Sequence, residues 1–145
     1  AGLSERRDQL DEFSDCFNEV ARSELKPDDL VPTQRVDLVG SIDALDDRLE
    51  RLMRHLEPCG PGNPAPVLGV ERAFARSPKQ VGTGHLKFTL DDGTSSIPAI
   101  GFGWWDRLEG EWWRNPIDVA LKLDRNEWRG SSTLQASVVQ IKPAD

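Results

Sequence analysis

Residues 85–94 read HLKFTLDDGT, and this stretch decides the fold class. Its apolar side chains, Leu86, Phe88 and Leu90, alternate with polar ones, which is the period of a β-strand with one buried face. The residues DDGT at 91–94 follow as a hairpin turn, with glycine where a positive φ is required. The stretch therefore predicts a β-hairpin with an apolar inner face.

Four further strands are predicted around this hairpin, at residues 67–74, 97–102, 119–124 and 133–141. Residues 125–130 are predicted as a turn, and Pro98 places its strand at an edge or a bulge. A long connection with two tryptophan pairs separates the third strand from the fourth. Such a set of strands is typical of the five-stranded OB barrel, which binds oligonucleotides on the face of its second and third strands and on flanking loops.

The residues before the barrel predict a helix, a strand and a second helix. Ser4 is predicted to cap the first helix, residues 35–39 form the strand, and Ser41 is predicted to cap the second helix. So few elements in roughly sixty residues bury little apolar surface. We therefore expect their apolar face to be covered by another copy or left exposed; its side chains include Leu10, Phe13, Phe17, Leu45, Leu49 and Leu52.

The segment between these two parts reads LEPCGPGNPAP at residues 56–66 and predicts a rigid elbow. Prolines stiffen a linker, and together with glycine they exclude a continuing helix or a central strand. The residues that form the predicted elbow are Pro58, Gly60, Gly62, Asn63 and Pro64. No Lys-Ser or Lys-Thr pair follows the glycines, which excludes a phosphate-binding P-loop.

Charge and aromatic residues divide the chain near residue 60. Up to Cys59 there are fifteen acidic and eight basic residues, and from Gly60 onward there are ten of each. The net charge of −7 therefore lies in the first part and argues against a general nucleic-acid-binding surface. All five tryptophans lie in the second part. A nucleic-acid site in this chain should therefore be a local groove in the barrel.

The search for catalytic and metal-binding motifs is negative. The chain has two histidines, and no HxxH, HExxH or CxxC spacing occurs. Asp91-Asp92 fits the hairpin turn better than a catalytic carboxylate pair, and Asp46-Asp47 lies on a solvated helix face without a third ligand. Cys59 is held in the proline-rich segment at residues 56–66, which argues against a catalytic nucleophile. We predict no catalytic residue, no metal ligand and no cofactor in this chain.

Aromatic and basic residues in the barrel are the strongest functional signal. Exposed tryptophan beside arginine is typical of a groove that stacks bases and holds phosphates. The alternative is that the tryptophan pairs pack the long connection onto the barrel, and the sequence leaves both open. The candidate nucleic-acid-binding residues are His85, Lys87, Trp104, Trp105, Arg107, Arg114, Trp128 and Arg129.

The elbow and the segments at residues 81–87, 99–103 and 126–130 resemble the C-terminal region of the RecJ family, bacterial exonucleases that degrade single-stranded DNA from 5′ to 3′. The resemblance implies an α+β chain in three segments. Residues 1–57 would be the tail of a DHHA1 domain, residues 58–66 the elbow, and residues 67–145 an OB-fold domain. Residues 1–3 resemble the residues just after the Gly-Gly-His motif of the DHHA1 domain, so we expect a piece of a longer protein.

The resemblance also implies the role of this segment. In the family, the metal site that holds Mn²⁺ or Mg²⁺ lies in the upstream DHH domain, and none of its motifs occurs in this sequence. The expected function is single-stranded DNA binding in DNA repair and recombination, by a chain that is inactive as a nuclease alone. The expected partners are single-stranded DNA, the missing DHH/DHHA1 core, a single-strand-binding protein and, through the exposed helices, a second copy.

The alternative function is that of a protein-docking module. It would bind a replication or repair partner through the acidic first part or through the tryptophan connection. The salt dependence of binding separates the two functions, because phosphate contacts weaken with salt and apolar contacts do not.

The sequence favours a cytoplasmic protein with no membrane partner. No apolar run approaches the roughly eighteen residues of a membrane-spanning helix, and the first residues have no apolar signal core. Cys16 and Cys59 lie far apart and form neither a disulfide framework nor a zinc cluster, which favours a reducing compartment.

Overall fold

A computed structural model describes residues 6–108 and 110–145, with the backbone but not the side chain of Trp128. The predicted cap at Ser4 lies outside the described residues. The chain divides into two compact units, one that ends at Thr33 and one that spans Gln34–Asp145. Residues 34–57, which the sequence grouped with the first helix, thus belong by their contacts to the same unit as the barrel.

The first unit contains one α-helix, α1, at Leu10–Glu24. Short 3-10 turns at Arg7–Gln9 and Pro27–Leu30 flank it. Its apolar face is exposed along its whole length, at Leu10, Phe13, Phe17 and Val20. The Phe13 and Phe17 rings stack with their centroids 6.0 Å apart. The exposed face expected from the sequence is present on this helix.

The second unit is built on six strands: β1 (Leu38–Val39), β2 (Leu68–Val81), β3 (His85–Asp91), β4 (Ser96–Gly101), β5 (Ile117–Trp128) and β6 (Ser131–Pro143). They follow the order β1-β2-β3-β4-β6-β5, and a further pairing of β2 with β5 closes the sheet. The result is a closed five-stranded barrel with β1 as an extra parallel strand, which is consistent with an OB fold.

Strand β2 closes the barrel because it bends and pairs with two different strands. Its first half pairs with β5, and its second half, from Phe74 to Val81, pairs with β3. The register shifts between Val70 and Ala73 and again between Arg76 and Lys79, as β-bulges do. The bulges turn the strand, so one long strand borders both sides of the barrel.

The barrel core confirms the predicted alternation. On β3 the side chains of Leu86, Phe88 and Leu90 are buried, and the residues between them are only partly buried. Leu121 of β5 is fully buried beside them. The hairpin turn predicted at residues 91–94 is present one residue later, at 92–95, where it joins β3 to β4 with a φ of 90° at Gly93.

The second helix departs from the sequence prediction. Helix α2 spans Asp47–Arg54, and the side chain of Asp46, rather than Ser41, caps it by accepting a 2.8 Å hydrogen bond from the Leu49 N–H. Residues Ile42–Ala44 form a 3-10 turn instead. The chain leaves the helical path at Leu45, where ψ is 66°, and this places Ile42 and Leu45 in the barrel core.

The expectation of an uncovered apolar face is therefore wrong for the residues around α2. Leu45 is buried, and Leu49 and Met53 pack against the barrel core, whereas Leu52 is exposed. The sequence could not reveal this because the covering surface is the barrel, which begins some twenty residues later in the chain.

Ion pairs hold α2 on β5. Glu50 is the one buried charged residue among those described, and Arg54 binds its carboxylate at 2.6 Å. Arg125 of β5 lies 3.4 Å from the other carboxylate oxygen and also binds Asp47. The hydrogen bond that Arg125 donates to the Asp47 carboxylate is the main cause that raises the pKa of Arg125.

Two further strand boundaries differ from those predicted. Strand β1 is shorter than residues 35–39, and β5 continues through the predicted turn at 125–130 as far as Trp128. The turn is reduced to Arg129 and Gly130, with φ of 49° and 79°. Two positive φ values are what a tight two-residue hairpin requires.

The elbow is clasped by Asn63. Its side-chain amide donates hydrogen bonds to the carbonyl oxygens of Leu56, at 2.8 Å, and Pro58, at 3.1 Å. The backbone N–H groups of Gly60 and Asn63 each donate to the other residue's carbonyl. The peptide bond before Pro58 is cis.

Among the described residues, no helix is both long enough and apolar enough to span a bilayer.

Candidate nucleic-acid interface

The barrel has an outer face formed by β2, β3 and β4. Because Leu86, Phe88 and Leu90 point inward, the residues between them on β3 point outward. Cross-strand register places Lys79 of β2 and Ile100 of β4 on either side of Lys87. We define the outer face by the residues that this register aligns: Lys79, Val81, His85, Lys87, Thr89, Pro98 and Ile100.

A groove of about 350 Å³ runs beside the outer face. Lys79 and Lys87 line one side of it, together with Thr89 and Pro98. The hairpin between β5 and β6 lines the other side, with Asn126, Thr133, Leu134 and Gln135. In an OB barrel this is the cleft between the binding strands and the loop that joins the last two strands.

The described residues that line the groove give it positive charge. Lys79 and Lys87 lie directly opposite each other, an arrangement of like charges that destabilises a sheet. Neither has an ion pair among the described residues, and no carboxylate is found among the described residues that line the groove. By contrast, Arg76 pairs with Asp91 at 3.4 Å. A bound anion would relieve the repulsion between the two lysines.

His85 lies on the outer face, and its ring is already engaged. Its Nδ1 accepts a 3.1 Å hydrogen bond from the Gly103 N–H. The ring also meets the Phe102 ring edge to face, with centroids 5.2 Å apart. His85 therefore acts first as a support for the chain that continues beyond β4.

Trp104 does not face solvent, contrary to its place among the candidate residues. It is 7% exposed and belongs to the core cluster. A Cβ atom on Gly101 would lie 2.9 Å from its side chain, so the glycine provides the space that the indole fills. The guanidinium of Arg107 lies 5.4 Å above the ring. A base cannot stack on this residue without opening the core.

The remaining tryptophans of the long connection pack against the barrel core rather than project into solvent. Trp105, Trp112 and Trp113 are half-buried against the core, and the Trp112 ring meets Phe88 edge to face at 6.0 Å. Of the two interpretations that the sequence left open, the structure shows the one in which the tryptophan pairs anchor the connection to the barrel.

The structure brings only some of the candidate residues to the groove. Lys87 lines it, whereas Arg107 lines a different cavity and Arg114 pairs with Glu111 at 2.8 Å. Arg129 is exposed at the tip of the β5–β6 hairpin. The side chain of Trp128 lies outside the described residues; its backbone ends β5 beside that tip.

Several residues of the interface were missed by sequence reasoning. Lys79 was missed because the first strand was predicted to end at residue 74, before the bulge that carries β2 onward. Asn126 lies in the predicted turn at residues 125–130 but belongs to β5, and Thr133 and Gln135 carry no distinguishing signal in the sequence. Phe102 is not among the candidates, although the predicted strand at residues 97–102 contains it and the alternation of that strand indicates an outward side chain.

The paired aspartates serve the fold. Asp92 accepts hydrogen bonds from the backbone N–H groups of Thr94 and Ser95 within its own turn and from Ile42 at 3.0 Å. These hydrogen bonds hold the pKa of Asp92 well below its ordinary value, and the bond from the Ile42 N–H has the largest effect. Throughout residues 6–108 and 110–145, no three histidine, cysteine, aspartate or glutamate side chains come together as metal ligands would. The described residues therefore do not fit a metal centre.

The family comparison and the comparison with curated proteins agree on one family. Residues 36–140 match the profile of the RecJ OB domain. The single-stranded-DNA-specific exonuclease RecJ of Bacillus subtilis is 26% identical over 140 residues, which are 95% of this chain and 18% of that protein.

Two crystal structures of RecJ from Thermus thermophilus share the fold. The complex with Mn²⁺ superposes with a TM-score of 0.74 at 22% identity over 99% of this chain and 20% of that one. The complex with Mg²⁺ gives a TM-score of 0.72 at 23% identity over 98% and 21%. The chain thus spans about a fifth of the length of these relatives.

Proposed function

The chain belongs to the RecJ OB domain family, and from this we propose that its barrel is the single-stranded-DNA-binding module of a RecJ-like exonuclease. The observation that carries the proposal is the groove beside Lys79 and Lys87. Both ammonium groups lack an ion pair in the described structure, and they face the cleft that OB barrels use for oligonucleotides.

Phosphate contacts supply the affinity in this proposal. The two lysines hold neighbouring phosphates, and the polar side chains of Asn126, Thr133 and Gln135 contact the strand from the hairpin side. The segment from Gly60 onward has no net charge, so long-range attraction is weak and binding depends on this local pair of cations. Contacts to the phosphates carry no sequence information, so the module binds without strong base preference.

The module handles substrate for chemistry performed elsewhere. The relatives are about five times as long as this chain, and the described residues do not fit a metal centre. We assign strand cleavage to a metal-bearing domain of the longer protein, with Mn²⁺ or Mg²⁺, and to this chain the grip on the single strand during DNA repair and recombination. In the same proposal, the helical residues ahead of the barrel are the tail of a DHHA1 domain.

A fluorescence anisotropy titration with a short oligothymidylate at several salt concentrations tests the DNA site. Lys79→Ala and Lys87→Ala should each weaken binding and flatten the plot of log affinity against log salt by about 0.7. Lys122→Ala is the matched control, because this β5 lysine lines a different cavity. If duplex binds as well as single strand, or if the control behaves like the two groove variants, the assignment of the groove is wrong.

The exposed face of α1 supports a docking role as a second function. Leu10, Phe13, Phe17 and Val20 are each between 38% and 59% exposed, which costs solvation free energy unless something covers them. We propose that the cover is the rest of a longer RecJ-like chain, because the relatives extend far beyond the aligned fifth.

Amide hydrogen exchange tests whether the rest of a longer chain covers the apolar face of α1. The amides of α1 should exchange more slowly in the longer protein than in the 145-residue chain, whereas those of β3 should not change. Sedimentation that shows a dimer of the short chain, lost on Phe17→Glu substitution, would instead identify a second copy as the cover.

A further inference from the structure

Phe102 is the one exposed aromatic side chain among the described side chains of residues 67–145. It is 60% exposed, whereas Phe88 and Trp104 are buried. It comes directly after Gly101, the last residue of β4, and continues the outward alternation of Pro98 and Ile100. The exposed part of the ring adds little buried area to the fold and is available to contact a ligand.

The Phe102 ring is held in place from behind. His85 meets it edge to face at 5.2 Å, and the Nδ1 atom of His85 accepts a hydrogen bond from the N–H of the next residue, Gly103. The φ of 69° at Gly103 turns the chain away at that point. The ring is thus supported on one side and open to solvent on the other.

Phe102 lies on the same outer face as Lys87, beyond the residues that line the groove. Ile100, two residues earlier, lies opposite Lys87 in the sheet, and two residues of a strand cover roughly 6.6 Å. A single-stranded DNA whose phosphates contact Lys79 and Lys87 therefore passes within reach of the Phe102 ring. We propose, on the basis of the proposed DNA-binding function, that Phe102 is a base-stacking residue of the same site.

The surroundings favour a base over a protein side chain or a phosphate. Protein partners are recognised by broad apolar patches, but Phe102 is flanked by the half-buried Ile100 and by glycine. The carboxylate of Asp106 lies beside Gly84, next to His85, and would repel a phosphate there. Stacking requires no cation and suits any base, so it is the contact that this end of the outer face can make.

Binding to an oligonucleotide and to its abasic counterpart tests the proposal. Phe102→Ala should bind the normal oligonucleotide about fivefold to 150-fold more weakly than the unsubstituted chain. The unsubstituted chain should lose a similar factor when the oligonucleotide's bases are removed, and Phe102→Ala should lose much less. Phe102→Leu, which keeps apolar volume without a π face, should resemble the alanine variant. Phe17→Ala is the control, because Phe17 is 59% exposed on α1.

The outcomes separate this proposal from the one on which it rests. If the phenylalanine variants bind normally while the lysine variants flatten the salt dependence, stacking is wrong and the DNA site stands. If Phe102→Ala loses the same factor on normal and abasic strands, the residue acts on the fold and stacking is again wrong. If the unsubstituted chain binds no single strand, both proposals fail together.

Discussion

The backbone N–H of Ile42 donates a 3.0 Å hydrogen bond to the carboxylate of Asp92, fifty positions later in the chain. Ile42 lies just ahead of α2, and Asp92 lies in the turn between β3 and β4. The same carboxylate accepts hydrogen bonds from Thr94 and Ser95, so one side chain closes the hairpin and fastens the segment before α2 to it.

Asp92→Asn should make the chain less stable at pH 7 and less sensitive to acid. The hydrogen bond from the Ile42 N–H is the main cause that lowers the pKa of Asp92 in the folded state. As the pH falls below about 4, this carboxylate is therefore protonated in the unfolded chain before it is protonated in the folded one. Acid consequently favours unfolding. The difference in melting temperature between the original chain and Asp92→Asn should be largest at neutral pH and should decrease below about pH 4. Circular dichroism melts from pH 3 to 7 measure it, with the exposed Asp15→Asn as control. A gap that widens in acid would contradict the assignment.

Gly101→Ala should destabilise the barrel by about 1–3 kcal/mol, as overpacking does. The new methyl carbon would lie 2.9 Å from three side-chain atoms of Trp104, and a buried indole cannot move aside cheaply. Urea unfolding monitored by tryptophan fluorescence gives the loss. Gly40→Ala is the matched control, because no atom lies within 4 Å of its added carbon. Equal midpoints for the two variants would show that Trp104 does not fill this space.

Asn63→Ala should loosen the elbow and cost about 1–2 kcal/mol, because two hydrogen bonds to backbone carbonyls are lost at a solvent-exposed site. Asn63→Asp should cost at least as much, since a carboxylate cannot donate to those carbonyls. Chemical denaturation measures both, with the exposed Asn115→Ala for comparison. If Asn63→Asp is as stable as the original chain, the hydrogen bonds from the Asn63 amide do not stabilise the elbow.

Trp128→Ala should weaken single-strand binding at every salt concentration, by about 1–3 kcal/mol if a base stacks on the indole. The backbone places this residue at the end of β5, beside the hairpin that borders the groove. Lys87→Ala should instead change the slope with salt. Anisotropy titrations at three salt concentrations distinguish the two. Unchanged affinity for Trp128→Ala would remove this tryptophan from the interface.

The chain alone should not degrade single-stranded DNA with Mg²⁺ or Mn²⁺. Two-metal cleavage needs ligands that hold ions about 4 Å apart, and the described residues contain no such cluster. A labelled oligonucleotide incubated with the pure chain should remain intact on a denaturing gel. Cleavage that a chelator abolishes would show that a metal site exists in this chain.

The interface itself was only half visible in the sequence. Lys87 could be placed on the outward face from the alternation of β3 alone, because a strand turns successive side chains to opposite faces. Lys79 could not, since its position opposite Lys87 depends on a bulge between residues 76 and 79. The arginine near Trp104 in sequence predicts a nucleic-acid contact for this residue, but its burial depends on the space left by Gly101.

Local chemistry determined the strands, the turn at Gly93, the elbow and the family resemblance, because periodicity, turn preference and proline stiffness act over a few neighbouring residues. Tertiary structure decided which surfaces are covered and which residues meet. The burial of Leu45 against the barrel, the bond from Ile42 to Asp92 and the pairing of Lys79 with Lys87 all join residues across bends or long separations. Such contacts depend on register and bulges between strands, and a bulge of one residue changes them without any change in the periodicity on either side.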